Sequence, residues 1–133
     1  MTPMRQAHWL GRGGLAFMFA YHGLVPKLIA LSPGEQLLLR AHGLEGAHWL
    51  SRGAGVAELA LAALLLFAPR NNGPLAIAAI VLVGLLVDIA LVQPALLVDA
   101  FNPVSLNIAG LALCAVAWVT RAQPLAELPS LRD

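Results

Sequence analysis

Residues 74–92 read PLAIAAIVLVGLLVDIALV, and Asp88 is the only charged residue in this run. About 18 or more consecutive apolar residues are enough for an α-helix to cross a bilayer. Pro74 is a favoured residue for a first helical turn, and the run lacks the alternation of apolar and polar residues that is typical of a barrel strand. The run therefore predicts a membrane-spanning helix over about residues 74–93.

Three similar apolar runs accompany this one, at about residues 8–31, 49–68 and 101–120. The turn Asn71-Asn72-Gly73 joins the second run to the third, which predicts an antiparallel hairpin. We therefore predict an all-α fold, an integral membrane four-helix bundle that forms a single domain over residues 1–133.

The segment between the first two runs, residues 32–48, is too polar to cross a bilayer. Ser32, Pro33 and Glu35 have the spacing of a capping box, in which the serine caps a helix and the glutamate lies in its first turn. Leucines then give this helix an apolar side, so we predict a short amphipathic helix on the membrane surface between helices 1 and 2. The tail after Arg121 is expected to fray.

The composition argues against several classes of function. The chain is 59% hydrophobic and 11% charged, whereas a soluble domain carries about a quarter charged residues. Its net charge of +1 gives no basic footprint for binding nucleic acid. A single cysteine, Cys114, argues against self-contained thiol–disulfide exchange. No zinc, haem or nucleotide signature is present, and we expect neither a metal site nor a cleavable signal peptide.

The charges outside the apolar runs predict an orientation. With four spans, the N-terminus, the turn at residues 69–73 and the C-terminal tail share one side, which carries Arg5, Arg12, Arg70, Arg121 and Arg132. The opposite side carries Lys27, Arg40 and Arg52. Because cytoplasmic loops are enriched in lysine and arginine, both termini are predicted to be cytoplasmic.

One short segment occurs twice: residues 7–13 read AHWLGRG and residues 47–53 read AHWLSRG. Each copy precedes an apolar run. We interpret both as interfacial entries, with the tryptophan at the level of the headgroups and with Arg12 and Arg52 extending their charged ends to water. An internal duplication is the alternative, although the match does not continue downstream.

Each apolar run carries a polar residue in the same half of the predicted bundle. At 1.5 Å per residue, His22 and Glu58 lie about 13 Å from the outer boundary, Asn107 about 9 Å and Asp88 about 7–8 Å. Ionisable groups at such depth are costly and mark functional sites by default. The candidates for a ligand pocket in this outer half are His22, Lys27, Glu58, Asp88, Asn102 and Asn107.

Two helix features favour a pocket at the same level. Pro26 has no N–H to bond the carbonyl of His22, so it is expected to kink the first helix and leave that carbonyl free. Asn102 is expected to cap the fourth helix, with Pro103 in its first turn. The positive end of that helix would favour an anionic or carbonyl-bearing ligand.

Each candidate also has a purely structural interpretation. Glu58 and His22 would then form a buried pair that fixes the order of the helices, and Asp88 would be hydrated among the headgroups. Lys27 would extend to the membrane surface, and Asn107 would form an interhelical hydrogen bond. The shared depth of the polar residues favours a cluster over these separate roles.

Four pieces of the sequence form a recognisable set: His22-Gly23-Leu24-Val25-Pro26-Lys27-Leu28, Ser32-Pro33-x-Glu35, Gly55-x-x-Glu58-Leu59 and Phe101-Asn102-Pro103-Val104-Ser105-Leu106-Asn107. With these pieces the chain resembles the DoxX-like family of small bacterial membrane proteins over about residues 10–120. The resemblance implies a compact four-helix bundle in the bacterial inner membrane. It also implies redox work, since relatives are named for a subunit of a quinone-reducing oxidoreductase and others are linked to oxidative-stress complexes.

Three functions follow from these features. The first is a subunit or accessory of a membrane redox system with a partner protein, in which the pocket binds a quinone headgroup or a small polar metabolite and His22 and Glu58 exchange protons or hydrogen bonds with it. The second is a small, oligomeric, proton-coupled transporter or channel that uses Glu58 or Asp88. The third is a membrane anchor or assembly factor that docks a partner through Leu37–Leu39. The sequence leaves open whether the protein catalyses a reaction.

Overall fold

The computed structural model describes residues 1–121, and the tail after Arg121 lies outside the described residues. Within 1–121 the chain is helical and contains no strand, which confirms the predicted all-α class. The α-helices are α1 (Pro3–Gly23), α2 (Pro33–Ala41), α3 (His48–Phe67), α4 (Gly73–Val92) and α5 (Pro103–Val119). A π-helical segment, Leu24–Ile29, continues α1, and a short 3₁₀-helix, Pro94–Val98, precedes α5.

Two helices have both the length and the hydropathy of membrane spans: α3 and α4, with 20 residues each. Their ends lie within one residue of the predicted bounds 49–68 and 74–93. Helix α5 is apolar but shorter, with 17 residues. Helix α1 with its π-helical continuation meets the criteria for a span only when it is counted together with α2. The axes of these two parts are bent by 83° relative to each other. These apolar helices indicate a membrane protein.

The first helix differs from its predicted bounds of 8–31 at both ends. It begins at Pro3, because the Thr2 hydroxyl accepts a hydrogen bond from the backbone N–H of Arg5 (3.3 Å) and proline favours the first turn. Regular α-helix ends at Gly23. A prediction of the helix start from hydropathy alone misses this polar first turn, because a turn that is stabilised by a cap does not need apolar residues.

The helices pack around an apolar core. Helix α1 contacts α3 and α5, and α4 contacts α5 and α3. The core residues are Leu15, Ala16, Phe19, Leu61, Ala62, Leu65, Leu75, Ala78, Leu82, Cys114 and Ala117. Large apolar side chains also face outward on all four long helices, among them Phe17, Leu64, Ile80 and Val119. So much exposed apolar surface suits contact with lipid chains better than contact with water.

Helices α1 and α3 touch through two glycines. A Cβ atom added to Gly55 would lie 2.7 Å from the carbonyl oxygen of Gly23, and one added to Gly23 would lie 2.5 Å from the carbonyl oxygen of Gly55. Neither position therefore has room for a side chain unless the backbones move apart. The contact lies one turn from Lys27 and Glu58, so it sets the distance between the two elements that carry these residues.

Replacing Gly55 by alanine is expected to lower the free energy of unfolding by about 1–3 kcal/mol, because the added methyl group collides with backbone that cannot rotate away. Gly53→Ala on the same helix is the matched control. A Cβ atom at Gly53 would meet nothing within 4 Å, so that variant is expected to be as stable as the wild type or about 0.5–1 kcal/mol more stable. Thermal unfolding in detergent, followed by circular dichroism, measures both. Equal stability of the two variants would contradict the close contact.

Arg12 does not extend to water, so its predicted role at the interface is wrong. Its side chain is completely buried. Its Nε donates to the carbonyl of Leu65 (2.7 Å), Nη2 to that of Ala68 (2.9 Å) and Nη1 to that of Asn71 (3.2 Å). The last carbonyls of a helix have no partners within the helix and form its negative end. Arg12 therefore caps the C-terminal end of α3 from the neighbouring helix.

The two copies of the repeated segment have different environments. In the first copy, His8 is also buried, and its Nδ1 donates to the carbonyl of Ala117 on α5 (2.7 Å). In the second copy, His48, Trp49 and Arg52 are exposed. The first copy therefore packs inside the helix assembly, while the second keeps the surface position that the sequence predicts for both.

Candidate functional site

Lys27 lies at the meeting point of three helical elements. It belongs to the π-helical segment and is buried, with 8% of its side chain exposed. Its Nζ lies 2.5 Å from Oε1 of Glu58 on α3 and 3.7 Å from Oε1 of Glu35 on α2. The structure thus places Lys27 in an interior ion pair and not at the membrane surface.

The irregular backbone predicted at Pro26 is present as the π-helical segment. Two backbone hydrogen bonds close its wide turns: Ala30 N donates to the carbonyl of Val25 (3.2 Å), and Ser32 N donates to that of Pro26 (2.9 Å). A π-helical turn holds more residues than an α-helical turn and is frequent at functional sites. Here it carries Lys27 between the two carboxylates and is followed by the sharp bend into α2.

Glu35 belongs to the same cluster, although the sequence marks it only as a capping residue. The predicted cap is present, since Ser32 Oγ accepts a hydrogen bond from the backbone N–H of Glu35 (3.2 Å). The carboxylate of Glu35, however, faces α3, where Oε2 accepts a hydrogen bond from Ser51 Oγ (2.7 Å). Glu35 therefore connects α2 to both Lys27 and α3.

The cluster contains one cation and two carboxylates, which leaves one negative charge uncompensated when all three groups are ionised. One carboxylate oxygen, Glu58 Oε2, is buried and has no hydrogen-bond partner among residues 1–121. A buried polar atom without a partner is costly, and a carboxylate oxygen more so. Glu58 Oε2 can accept a hydrogen bond from a ligand or a water molecule.

A cavity of about 250 Å³ borders this cluster. All five α-helices contribute to its wall. The polar side chains that line it are His22, Lys27, Ser32, Glu35, Glu58 and Asn107. The apolar side chains that line it are Met18, Phe19, Leu38, Leu82, Leu85, Ile89, Leu96 and Leu106. The cavity therefore has one polar wall and is otherwise lined by hydrocarbon.

Four of the six candidates from the sequence line this cavity: His22, Lys27, Glu58 and Asn107. Asn102 has the capping role predicted for it. Its Oδ1 accepts a hydrogen bond from Ser105 N (2.9 Å), and its Nδ2 donates to the carbonyl of Asp99 (3.0 Å). Asn102 is not part of the cavity wall, but Pro103 in the following turn is.

Asp88 lies outside the cavity wall and pairs with His42. The Nε2 of His42 donates to Oδ1 of Asp88 (2.9 Å), and its Nδ1 donates to the carbonyl of Leu38 (2.8 Å). These contacts raise the pKa of His42, first through the hydrogen bond to the Leu38 carbonyl and then through that to Asp88. The sequence predicts a solvated His42 and does not anticipate this pair, which links the end of α2 to α4.

Within residues 1–121, no three or more His, Cys, Asp or Glu side chains come together in a group that could hold a metal ion. The cluster at Lys27 contains only two carboxylates, and both contact the lysine. These side chains can donate and accept hydrogen bonds and exchange protons.

Comparison with known proteins identifies the family of the chain. No curated protein and no solved structure gives a significant match. Residues 16–115, however, match the profile of the DoxX-like family. The matched range begins within α1, ends within α5 and includes every residue that lines the cavity. The chain belongs to the DoxX-like family.

Proposed function

We propose that this protein binds the headgroup of a quinone or quinol in the cavity beside Lys27 and Glu58, as a subunit or accessory of a membrane redox system. The observation that carries the proposal is the buried, unpartnered oxygen Glu58 Oε2, set in a wall whose remainder is largely apolar. A headgroup with hydrogen-bonding oxygens on an apolar ring and tail matches such a wall.

The polar groups of the cavity suit both redox states of such a headgroup. Quinone carbonyls accept hydrogen bonds, which Lys27 and Asn107 can donate. Quinol hydroxyls donate them, and Glu58 Oε2 is free to accept. His22 lines the same wall and can exchange a proton with the ligand. The volume of about 250 Å³ equals the space of about eight water molecules at roughly 30 Å³ each, which is enough for one substituted ring.

For the membrane setting, we propose four spans in a single domain, located in the bacterial inner membrane with both termini in the cytoplasm. The apolar outer surfaces of α1, α3, α4 and α5 support four spans. The three exposed arginines at one end of the bundle, Arg5, Arg70 and Arg121, support the orientation. We further propose that α2 lies along the membrane surface, where its exposed side is polar.

A transporter role receives less support. The core between the cavity and the opposite end of the helices is mostly apolar, with Leu15, Leu65 and Leu75 fully buried. The buried polar side chains Arg12 and His8, in that half of the described residues, are bonded to backbone carbonyls, so a proton or ion at Glu58 meets an apolar layer. The cavity therefore favours a ligand that enters and leaves on one side.

Binding of a short-chain benzoquinone to the purified full-length protein, measured in both its quinone and its quinol form, tests the proposal. Glu58→Gln removes the charged acceptor, and loss of a hydrogen bond to a charged group is expected to weaken quinol binding about 10- to 100-fold. His22→Ala is expected to weaken it as well. Asp88→Asn, outside the cavity, is the matched control and is expected to bind like the wild type. Unchanged binding in both cavity variants would contradict a quinone site there.

A further inference from the structure

A second depression lies at the opposite end of the helices from the cavity. It has a volume of about 950 Å³ and lies between the start of α1, the turn from α3 to α4, and the end of α5. Its wall includes Arg5, His8, Trp9, Phe67, Arg70 and Arg121. It is open to the surroundings and shares no residue with the first cavity.

Three exposed arginines from separate parts of the chain converge on this depression. Arg5 comes from α1, Arg70 from the turn after α3, and Arg121 from the end of α5. The guanidinium of Arg121 is held beside the turn, because its Nη2 donates to the carbonyl of Arg70 (2.8 Å). The structure thus brings together charges that are far apart in the sequence.

These arginines have no acidic neighbour among the described residues. The chain has seven acidic residues, two of which, Glu127 and Asp133, lie beyond residue 121. The other five are Glu35, Glu45, Glu58, Asp88 and Asp99, and none of them lines the depression. Glu35 and Glu45 lie on α2 and the loop after it, Glu58 in the middle of α3, Asp88 near the end of α4, and Asp99 in the connection to α5. All of these places are remote from the depression. The depression therefore carries a positive charge that is not neutralised within residues 1–121.

Apolar side chains border the same depression. Phe67 is 84% exposed, and Trp9 is half-buried. Aromatic residues with this exposure are typical of the boundary between headgroups and acyl chains. A free phosphate ion would need only the arginines, whereas a phospholipid would also contact these aromatic rings.

We propose that the depression binds the headgroup of an anionic phospholipid. Arg5, Arg70 and Arg121 donate hydrogen bonds to its phosphate, and Phe67 contacts its acyl chains. Guanidinium groups bind phosphate through paired, charge-assisted hydrogen bonds. Basic pockets between membrane helices on the cytoplasmic side attract anionic headgroups in general. The site would anchor the end of the bundle that carries both α1's start and α5's end, independently of any ligand in the first cavity.

Native mass spectrometry of the full-length protein with added phosphatidylglycerol or phosphatidylcholine tests this site. The wild type is expected to retain phosphatidylglycerol in preference to phosphatidylcholine. Replacement of Arg5, Arg70 and Arg121 by glutamine is expected to weaken retention roughly fivefold for each arginine replaced. Arg40→Gln combined with Arg52→Gln, at exposed positions of the other end, is the matched control and is expected to retain phosphatidylglycerol like the wild type. Equal retention of the two lipids by the wild type, or equal loss in the control, would overturn the proposal.

Two further measurements separate a lipid from a free phosphate ion. Phe67→Ala is expected to weaken phosphatidylglycerol retention, and inorganic phosphate at millimolar concentration is expected to leave that retention unchanged. If inorganic phosphate displaces the lipid and Phe67→Ala has no effect, the depression is a site for free phosphate and the lipid assignment is wrong. Circular dichroism of each variant verifies that the helices are intact, and the comparison of lipids on the wild type needs no variant at all.

Discussion

Lys27→Met is expected to lower the free energy of unfolding by about 3–5 kcal/mol, because it leaves buried carboxylates without their cation. The lysine contacts both Glu58 and Glu35, and its side chain is 8% exposed, so the ion pair is largely withdrawn from bulk solvent. Methionine has a similar length and apolar stem, and the loss therefore reports on charge and not on volume. Unfolding in detergent, followed by circular dichroism, measures the difference.

A second substitution on top of Lys27→Met shows whether the ion pair is the cause. In Lys27→Met combined with Glu58→Leu, the more deeply buried carboxylate is gone, while Glu35 keeps its hydrogen bond from Ser51. Most of the lost stability is therefore expected to return. Arg40→Met on the exposed side of α2 is the control for loss of a positive charge, with an expected change within about 0.5 kcal/mol. If the double variant is less stable than the wild type by the sum of the losses in Lys27→Met and Glu58→Leu alone, the two residues act independently and the ion pair is not the cause.

Arg12→Met is expected to be as damaging, with a loss of about 3–5 kcal/mol. The change removes three hydrogen bonds from a charged donor to Leu65, Ala68 and Asn71, each worth about 1.5–3 kcal/mol and not fully additive. It also leaves the carbonyl of Leu65, which is buried, without a donor. Arg12→Lys keeps the charge but not the planar fork of donors, so its stability is expected to lie between those of Arg12→Met and the wild type.

The repeated segment supplies the matched control for Arg12. Arg52 has nearly the same local sequence but is exposed, and Arg52→Met is therefore expected to change the stability by no more than about 0.5 kcal/mol. Thermal unfolding of the three variants in one detergent allows direct comparison. Similar losses in Arg12→Met and Arg52→Met would show that the segment acts locally, through its sequence, and not through the capping of α3.

The sequence predicts the helices well where their ends carry local signals. The bounds of α3 and α4 follow from the apolar runs and from the asparagine and glycine turn between them. The caps at Ser32 and Asn102 follow from side chains that need only their own first turn. The four-span arrangement remains a proposal, because α5 is short and α1 continues into a π-helical segment that no periodicity signals.

The candidate site is predicted in part, and its errors have a common cause. His22, Lys27, Glu58 and Asn107 share a cavity, as their common depth indicates. The depth of a residue along its helix does not determine to which side of the helix its side chain points, however. The sequence therefore does not predict that Asp88 points away from the cavity and contacts His42. Glu35 was missed because its capping position explained it already. Arg12 and Arg52 have nearly the same local sequence and differ in the helices that pack against them. A local sequence pattern carries no information about those tertiary contacts.

The burial of Arg12 also has a consequence for biogenesis. A ribosome delivers the chain from its N-terminus, so Arg12 emerges 53 residues before Leu65, the first of its carbonyl partners. During that interval the guanidinium of Arg12 lacks the carbonyls that it contacts in the folded protein. We therefore expect Arg12 to reach its buried position only after the end of α3 has been synthesised and packed against the first helix.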